Sequence, residues 1–113
     1  MQITFFGLKS CDICRVAQKA ISAAGIACKT RDVRVDGVPE DVLHRAILDH
    51  GADLVINKRS TTWRGLDENV RNSDAVTLLS ANPTLMKRPL ILTDTGVILI
   101  GWNGQVQSTL GID

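Results

Sequence analysis

A C-x-x-C motif at residues 11–14 lies where a predicted strand meets a predicted helix. Residues 2–6 (QITFF) are β-prone and end at Gly7, and apolar residues then recur at helical spacing over residues 12–24. Residues 26–33 (IACKTRDV) follow as a second strand. This order predicts a βαβ unit with two parallel strands, in which the cysteines occupy the turn into the helix.

The helix after the motif is predicted to be amphipathic. Its apolar residues repeat three and four positions apart, which is typical of a helix with one face in the core. We expect Gly25 to end the helix. The expected buried stripe consists of Ile13, Val16, Ala17, Ala20 and Ile21.

The rest of the chain is predicted to be helical in the middle and β-rich near the end. The predicted elements are a helix from Pro39 to His50, an irregular stretch over 52–72 with one short helical turn, a helix over 73–81 capped by Ser73 or Asp74, a β-hairpin over 90–100, and a short helix over 105–110. The sequence therefore predicts a single α/β domain over 1–113, with a helical insertion between the βαβ unit and the hairpin.

Composition restricts the classes of function. Among 113 residues, 44% are hydrophobic and 22% charged, as in ordinary globular proteins. The net charge of +1 provides no general field for nucleic acid or an anionic membrane. No apolar run approaches the roughly 20 residues of a membrane span, and residues 1–10 do not resemble a signal peptide. With three cysteines, we expect a cytoplasmic protein with reduced thiols.

The position of the motif indicates redox or nucleophilic chemistry. Cys11 is expected at the start of a helix, where free N–H groups and the helix dipole stabilise a thiolate. Cys14, one turn further on, is better placed as a resolving thiol. Lys9 and Arg15 favour the thiolate, and the negative charge of Asp12 opposes it.

Two alternatives to this interpretation are a zinc site and a pair of inert, packed thiols. Zinc would need two further ligands, and His44, His50 and Cys28 form no second pair, so we expect no metal. Both histidines are predicted to be structural or neutral, and Cys28 to be a buried, inert thiol. Trp63 and Trp102 are expected to pack in the core.

Four patches together resemble one family. They are FFGLKSCDICRVAQKAI at 5–21, INKRSTTWRGLD at 56–67, NPTLMKRPLIL at 82–92 and ILIGWN at 98–103. The combination is similar to the arsenate reductase (ArsC) and Spx family, most closely to its YffB-like members. The resemblance implies a thioredoxin-like fold with a mixed four-stranded sheet.

The resemblance also implies roles for individual residues. Cys11 corresponds to the nucleophile, which attacks the oxyanion in the reductases. Arg59 and Arg88 resemble the arginines that hold the anion, and Arg15 resembles the arginine of the anion-cradling loop. Pro89 is similar in placement to the cis-proline that faces the reactive cysteine. Guanidinium groups suit this task because their geometry matches oxyanions and carboxylates.

Two glycines depart from the reductase pattern, and one cysteine is added to it. Gly101 stands where the reductases have a third arginine, and Gly7 stands where they have a histidine. Cys14 is absent from them but resembles the redox switch of Spx-type regulators.

These features predict a thiol-dependent oxidoreductase that acts on a disulfide or a small oxyanion. Glutathione would be the co-substrate, and glutathione or a glutaredoxin the reductant, with no bound cofactor. The alternatives are an Spx-like redox-sensing regulator that binds RNA polymerase and a true arsenate reductase.

Overall fold

The computed structural model describes residues 1–112. Within these residues the chain forms four strands, seven α-helices and one 3-10 helix. In chain order they are β1 (Gln2–Gly7), α1 (Asp12–Ala23), β2 (Ala27–Asp32), α2 (Glu40–His50), α3 (Ala52–Val55), α4 (Thr61–Arg64), α5 (Glu68–Arg71), α6 (Ala75–Ala81), the 3-10 helix (Pro83–Leu85), β3 (Leu90–Thr93), β4 (Ile98–Ile100) and α7 (Gly104–Thr109).

The strands form one mixed sheet in the order β2-β1-β3-β4. β1 runs parallel to β2, with Gly7 opposite Asp32, and antiparallel to β3, with Phe6 opposite Leu90. β3 and β4 form the antiparallel hairpin. The βαβ unit, the hairpin and the mixed four-stranded sheet predicted from the sequence are confirmed.

The chain divides into two compact units. The first unit comprises Met1–Asp36 and the chain from Arg88 onward, and it contains the sheet, α1 and α7. The second unit, Gly37–Lys87, contains α2 to α6 and the 3-10 helix. In chain order, the helical insertion follows the βαβ unit and precedes the hairpin, as the sequence predicted.

One core cluster of the first unit lies on one face of the sheet. Side chains of β1, β3 and β4 pack there against α1 and α7, and Trp102 packs at the edge of this cluster. Alternate strand residues point to the same face, which is why Ile3 and Phe5 of β1 both contribute. The buried members are Ile3, Phe5, Cys14, Ala17, Ile21, Ile91, Leu99, Val106 and Leu110.

The predicted buried stripe of α1 is partly wrong. Ile13 and Val16 are 42% and 56% exposed, whereas Cys14 is only 1% exposed and lies in line with Ala17 and Ile21. The prediction relied on hydrophobicity alone, and it therefore put the larger side chains of Ile13 and Val16 in the core. The observed face consists of residues three and four positions apart, 14, 17 and 21, because the small thiol can approach the sheet closely.

The middle of the chain is more helical than predicted. Residues 52–72 form three four-residue helices where the sequence predicted one short turn. Polar side chains cap two of them, since the Ser60 hydroxyl accepts from Trp63 N (3.1 Å) and Asp67 from Asn69 N (2.9 Å). A single turn is too short to show hydrophobic periodicity, so the pattern missed these helices.

The longer helices of the second unit agree with the sequence. α2 begins after Pro39 and ends at His50, as predicted, and Asp74 caps α6 by accepting from Thr77 N (3.1 Å). Among residues 1–112, no helix combines the length and the apolar character needed to cross a membrane.

The orientation of α1 can be tested by truncating two isoleucines of the same helix. Ile21→Ala should lower the free energy of unfolding by about 2–5 kcal/mol, because it leaves a cavity in the core. Ile13→Ala should change it by less than about 0.5 kcal/mol, because that side chain faces solvent. Urea denaturation of both variants measures the difference, and equal losses would contradict the observed orientation.

Candidate active site

Cys11 caps the N-terminus of α1. Its backbone is extended (φ −88°, ψ 117°), its N–H donates to Leu8 O (3.2 Å), and its carbonyl accepts from Arg15 N (3.1 Å). The thiol is half-buried. Cys11 therefore lies beside the free N–H groups of the first helical turn, where a negative charge is favoured.

The surroundings of Cys11 favour its thiolate. Partial burial raises the pKa of Cys11, but the neighbouring thiol and backbone N–H of Cys14, and then the Arg88 guanidinium, outweigh it. The resulting pKa lies below the ordinary value of a cysteine.

Cys14 has the opposite character. Its side chain is buried in the core cluster, and burial together with the neighbouring Cys11 raises its pKa to about 12. Cys14 therefore remains a protonated thiol at neutral pH and can donate to the Cys11 sulfur. Both cysteines are free, so the structure shows the reduced pair.

The sheet brings Arg88 and Pro89 to this pair. They precede β3, which runs antiparallel to β1, so that the start of β3 meets the end of β1 that leads to Cys11. The Arg88–Pro89 peptide bond is cis, as the resemblance implied, and Pro89 O accepts from Gly101 N (2.8 Å).

The other predicted anion ligands are placed differently. The Arg15 guanidinium bonds to Asp12 in an exposed pair on α1, and Lys9 is exposed in the loop before Cys11. Arg59 belongs to the second unit, where its N–H donates to Asn57 Oδ1 (3.2 Å). Only Arg88 among the predicted cations acts on the pKa of Cys11.

Arg59 borders a cationic cavity within the second unit. The cavity measures about 480 Å³, and Lys58, Arg59 and Lys87 line it. Lys58 is paired with Asp53 (2.6 Å), and it lowers the pKa of that carboxyl by hydrogen bonding and by its charge. The predicted anion-binding role of Arg59 stays a prediction.

Arg71 is a structural residue that the sequence analysis missed. Its Nε donates to Trp63 O (3.1 Å) and its Nη2 to Arg64 O (2.9 Å), so that it joins α5 to α4. The Arg71 guanidinium and the Lys58 ammonium each lie 5.5 Å from the centre of the half-buried Trp63 ring, a cation–π distance. Helices of four residues show no hydrophobic periodicity, so the sequence could not indicate the contacts between α4 and α5.

The prediction that Cys28 is buried is wrong. β2 is an edge strand with little cover, and the Cys28 side chain is exposed. Neighbouring atoms still displace part of its water and raise its pKa, against a smaller lowering by the Thr30 hydroxyl. Cys28 is thus a weakly reactive surface thiol at neutral pH.

Neither histidine is near the reactive pair in the chain. His44 is exposed on α2, and His50 is half-buried at the end of that helix. Within residues 1–112, no cluster of three or more histidine, cysteine or acidic side chains has a geometry that could hold a metal ion.

The absence of a side chain at Gly7 leaves room for the buried thiol of Cys14. A Cβ added at Gly7 would lie 2.9 Å from Cys14 Sγ and 2.8 Å from Phe5 Cε1, which is closer than atoms can pack. The buried Cys14 thiol thus occupies the space that a side chain at position 7 would need. Gly7 and Cys14 are therefore complementary, since a side chain at position 7 would force Cys14 or Phe5 to move.

The fold and this cysteine pair define a thioredoxin-like α/β protein. The ArsC family profile matches residues 6–108, and the chain belongs to the ArsC family. The chain is similar to a solved structure of the YffB protein. The two are 27% identical in sequence, and they superimpose with a TM-score of 0.86 over 96% of this chain and 97% of that one. An arsenate reductase (ArsC) related protein from Brucella melitensis is 29% identical, with a TM-score of 0.70 over 96% and 93%.

Sequence relatives include both regulators and proteins without an assigned activity. An uncharacterised protein of Haemophilus influenzae is 48% identical, and the match covers 89% of this chain and 91% of that protein. The global transcriptional regulator Spx of Streptococcus mutans is 27% identical over 89% of this chain and 77% of its own length.

Removing the Arg88 charge should make Cys11 less acidic. Arg88→Ala deletes a hydrogen bond and a positive charge that both lower the Cys11 pKa, so the pKa should rise. The rate of iodoacetamide alkylation at Cys11, measured against pH by peptide mass spectrometry, reports this shift. Arg15→Ala is the matched control and should leave the profile in place. An unchanged profile in Arg88→Ala would refute the assigned role.

The complementarity of Gly7 and Cys14 can be measured by a double-mutant cycle. Gly7→Ala should cost about 1–3 kcal/mol of stability through overpacking. In the Cys14→Ala background the cost should fall by at least about 0.5 kcal/mol, because the closest sulfur contact is gone while Phe5 remains. Additive losses in urea denaturation would show that the two positions are independent.

Proposed function

We propose that this protein is a thiol-dependent oxidoreductase in which Cys11 is the nucleophile and Cys14 the resolving thiol. The observation that carries the proposal is the asymmetry of the pair: the pKa of Cys11 is lowered, and that of Cys14 is raised to about 12. Cys11 therefore forms its thiolate at a lower pH than Cys14 does, which makes Cys11 the attacking sulfur. The substrate is a disulfide or a small oxyanion, and glutathione or a glutaredoxin returns the protein to its reduced form.

With a disulfide substrate, the reaction begins at the half-buried sulfur. The Cys11 thiolate attacks one sulfur of the substrate, the S–S bond of the substrate breaks, and the other sulfur leaves as a thiolate that takes up a proton. Cys11 is then joined to half of the substrate in a mixed disulfide. The Arg88 guanidinium stabilises the negative charge of Cys11 before the attack.

The second step uses the change in charge at Cys11. Two of the causes that raise the Cys14 pKa are its hydrogen bond to Cys11 and the charge of Cys11, and both disappear once Cys11 is in a disulfide. Cys14 can then lose its proton more readily and attack Cys11 Sγ. The product is a Cys11–Cys14 disulfide and a free thiol, and two electrons have passed to the substrate.

Regeneration requires two further thiols. One glutathione attacks Cys11 Sγ and releases Cys14, and a second glutathione, or a glutaredoxin, then releases Cys11. Cys11 is the more accessible sulfur, since Cys14 is only 1% exposed. With an oxyanion substrate, the cations Arg88, Lys9 and Arg15 of the same unit would offset its charge.

Replacing the resolving thiol should trap the first intermediate. With glutathione disulfide, the wild-type protein should release glutathione and end as the Cys11–Cys14 disulfide, whereas Cys14→Ser should keep glutathione bound to Cys11. Intact mass spectrometry distinguishes the two products. Cys28→Ser is the control and should behave as the wild type, since its thiol lies outside the pair.

The pH dependence of adduct formation gives a second readout from the same experiment. A free thiol loses its thiolate as the pH falls through its ordinary pKa, but Cys11 keeps its thiolate to lower pH because its pKa is lowered. Adduct formation at Cys11 should therefore persist at pH values where Cys28 no longer reacts. Equal pH profiles for the two cysteines would contradict the proposal.

A second candidate is a redox-sensing regulator that binds RNA polymerase. It is favoured by the similarity to the Spx regulators, which are 26–27% identical over 89% of this chain. In that case the Cys11–Cys14 disulfide would act as a switch. The same mass-spectrometric experiment would show the disulfide forming once without catalytic turnover by glutathione, and the protein would bind purified RNA polymerase.

A further inference from the structure

The cationic cavity of the second unit takes no part in the thiol chemistry described above. Its volume of about 480 Å³ is within the range of small-molecule sites, about 300–1,000 Å³, and exceeds what a single small oxyanion needs. Lys58, Arg59 and Lys87 contribute three positive charges to its lining. Among the described residues that line it, Asp53 is the only acidic one, so positive charge is in excess.

A short β-bridge brings the cationic segments of this cavity together. Ile56 pairs with Met86 in an antiparallel bridge, and the backbone N–H groups of Asn57 and Lys87 each donate across it (2.7 Å). Asn57 Oδ1 also accepts from Arg59 N (3.2 Å), which fixes the turn after the bridge. Lys87 therefore lies beside the 57–59 segment, although the two are far apart in the sequence.

Only one of the three cations is neutralised within the described part of the chain. Lys58 pairs with Asp53 (2.6 Å), and its ammonium group lies over the Trp63 ring. Arg59 and Lys87 are both exposed, and neither forms an ion pair with a residue of 1–112. Like charges that line one cavity repel each other, so an anionic ligand would relieve this repulsion.

An exposed apolar side chain borders these charges. Leu54 lines the cavity and is 41% exposed, whereas its neighbour Val55 is fully buried. An inorganic anion would leave Leu54 in water, but a ligand with carboxylates and an apolar group would cover it. An acidic peptide has this composition, and the guanidinium group of Arg59 matches a carboxylate in geometry.

We propose that this cavity binds an acidic segment of a protein partner. Arg59 and Lys87 each pair with a carboxylate of that segment, and Leu54 contacts one of its apolar side chains. Charge complementarity is the reason for this choice of partner, since two unpaired cations face the ligand. The inference goes beyond the proposed function, because every residue it uses lies in the second unit and none is a thiol.

A defined acidic peptide, acetyl-Glu-Leu-Glu-Glu-amide, tests the site on the reduced, full chain. Its binding is followed by NMR titration of the backbone amides of residues 53–59 and 87. Lys87→Gln and Arg59→Gln should each weaken binding about threefold, as expected for the loss of one exposed ion pair. Arg64→Gln is the matched control, since it removes an exposed cation of the same unit that does not line the cavity.

Asp53→Asn should change the affinity in the opposite direction. The Asp53 carboxylate repels an acidic ligand and also occupies the Lys58 ammonium group. Its removal frees Lys58 for the peptide, so binding should become about threefold tighter. The Asp53 side chain is 91% exposed, so the substitution should leave the fold intact, and urea denaturation checks this.

Two further probes test the chemical class of the ligand. Acetyl-Gln-Leu-Gln-Gln-amide has the size and the apolar side chain of the acidic peptide but no charge, and it should not bind measurably. Inorganic phosphate should bind more weakly than the acidic peptide, and equal or tighter binding would show a small-anion site instead. The proposal is also wrong if the acidic peptide shows no saturable binding, or if Lys87→Gln and Asp53→Asn bind it as the wild type does.

Discussion

The interaction between the Cys11 and Cys14 sulfurs is the constraint on which the rest of the site depends. It lowers the pKa of Cys11 and raises that of Cys14, so that Cys11 loses its proton at a lower pH than Cys14 does. This difference requires unequal burial, because a fully hydrated pair would have little reason to differ. Cys14 lies in the core and Cys11 at the helix N-terminus, and one turn of α1 provides both positions.

The mixed sheet supplies the remaining parts of the site. β1 is the central element, since its carboxyl end leads into the cysteine loop, its parallel neighbour β2 ends beside that loop, and its antiparallel neighbour β3 begins there. Arg88 is distant from Cys11 in the sequence, but it directly precedes β3 and therefore lies at the same end of the sheet as the cysteine loop. A sheet with all strands parallel would place the start of β3 at the opposite end from the thiols.

Much of this arrangement could be predicted from the sequence, and the failures share a physical cause. Alternation, helix caps and the position of the C-x-x-C motif predicted the βαβ unit, α2, α6 and the hairpin. Which side of α1 faces the sheet could not be predicted, because Ile13 is more hydrophobic than Cys14, and yet Cys14 is the buried residue and contacts the position of Gly7. The exposure of Cys28 depends on β2 being an edge strand, and a strand's place in the sheet is a tertiary property. Arg71 was missed for the same reason, since its contacts join two single-turn helices.

Membership of the ArsC family does not by itself choose between a reductase and a regulator, because relatives of both kinds share the fold. A pair of thiols suits both kinds of protein, because a dithiol reductase and a redox switch can each form a Cys11–Cys14 disulfide. A protein with one reactive cysteine needs an external thiol to resolve every intermediate, whereas a second thiol on the same helical turn resolves it internally and stores the result as a disulfide. In this chain the second thiol is accommodated by the absence of a side chain at Gly7. Gly7 and Cys14 are therefore dependent on each other in packing, and this packing is what places a second thiol one helical turn from Cys11.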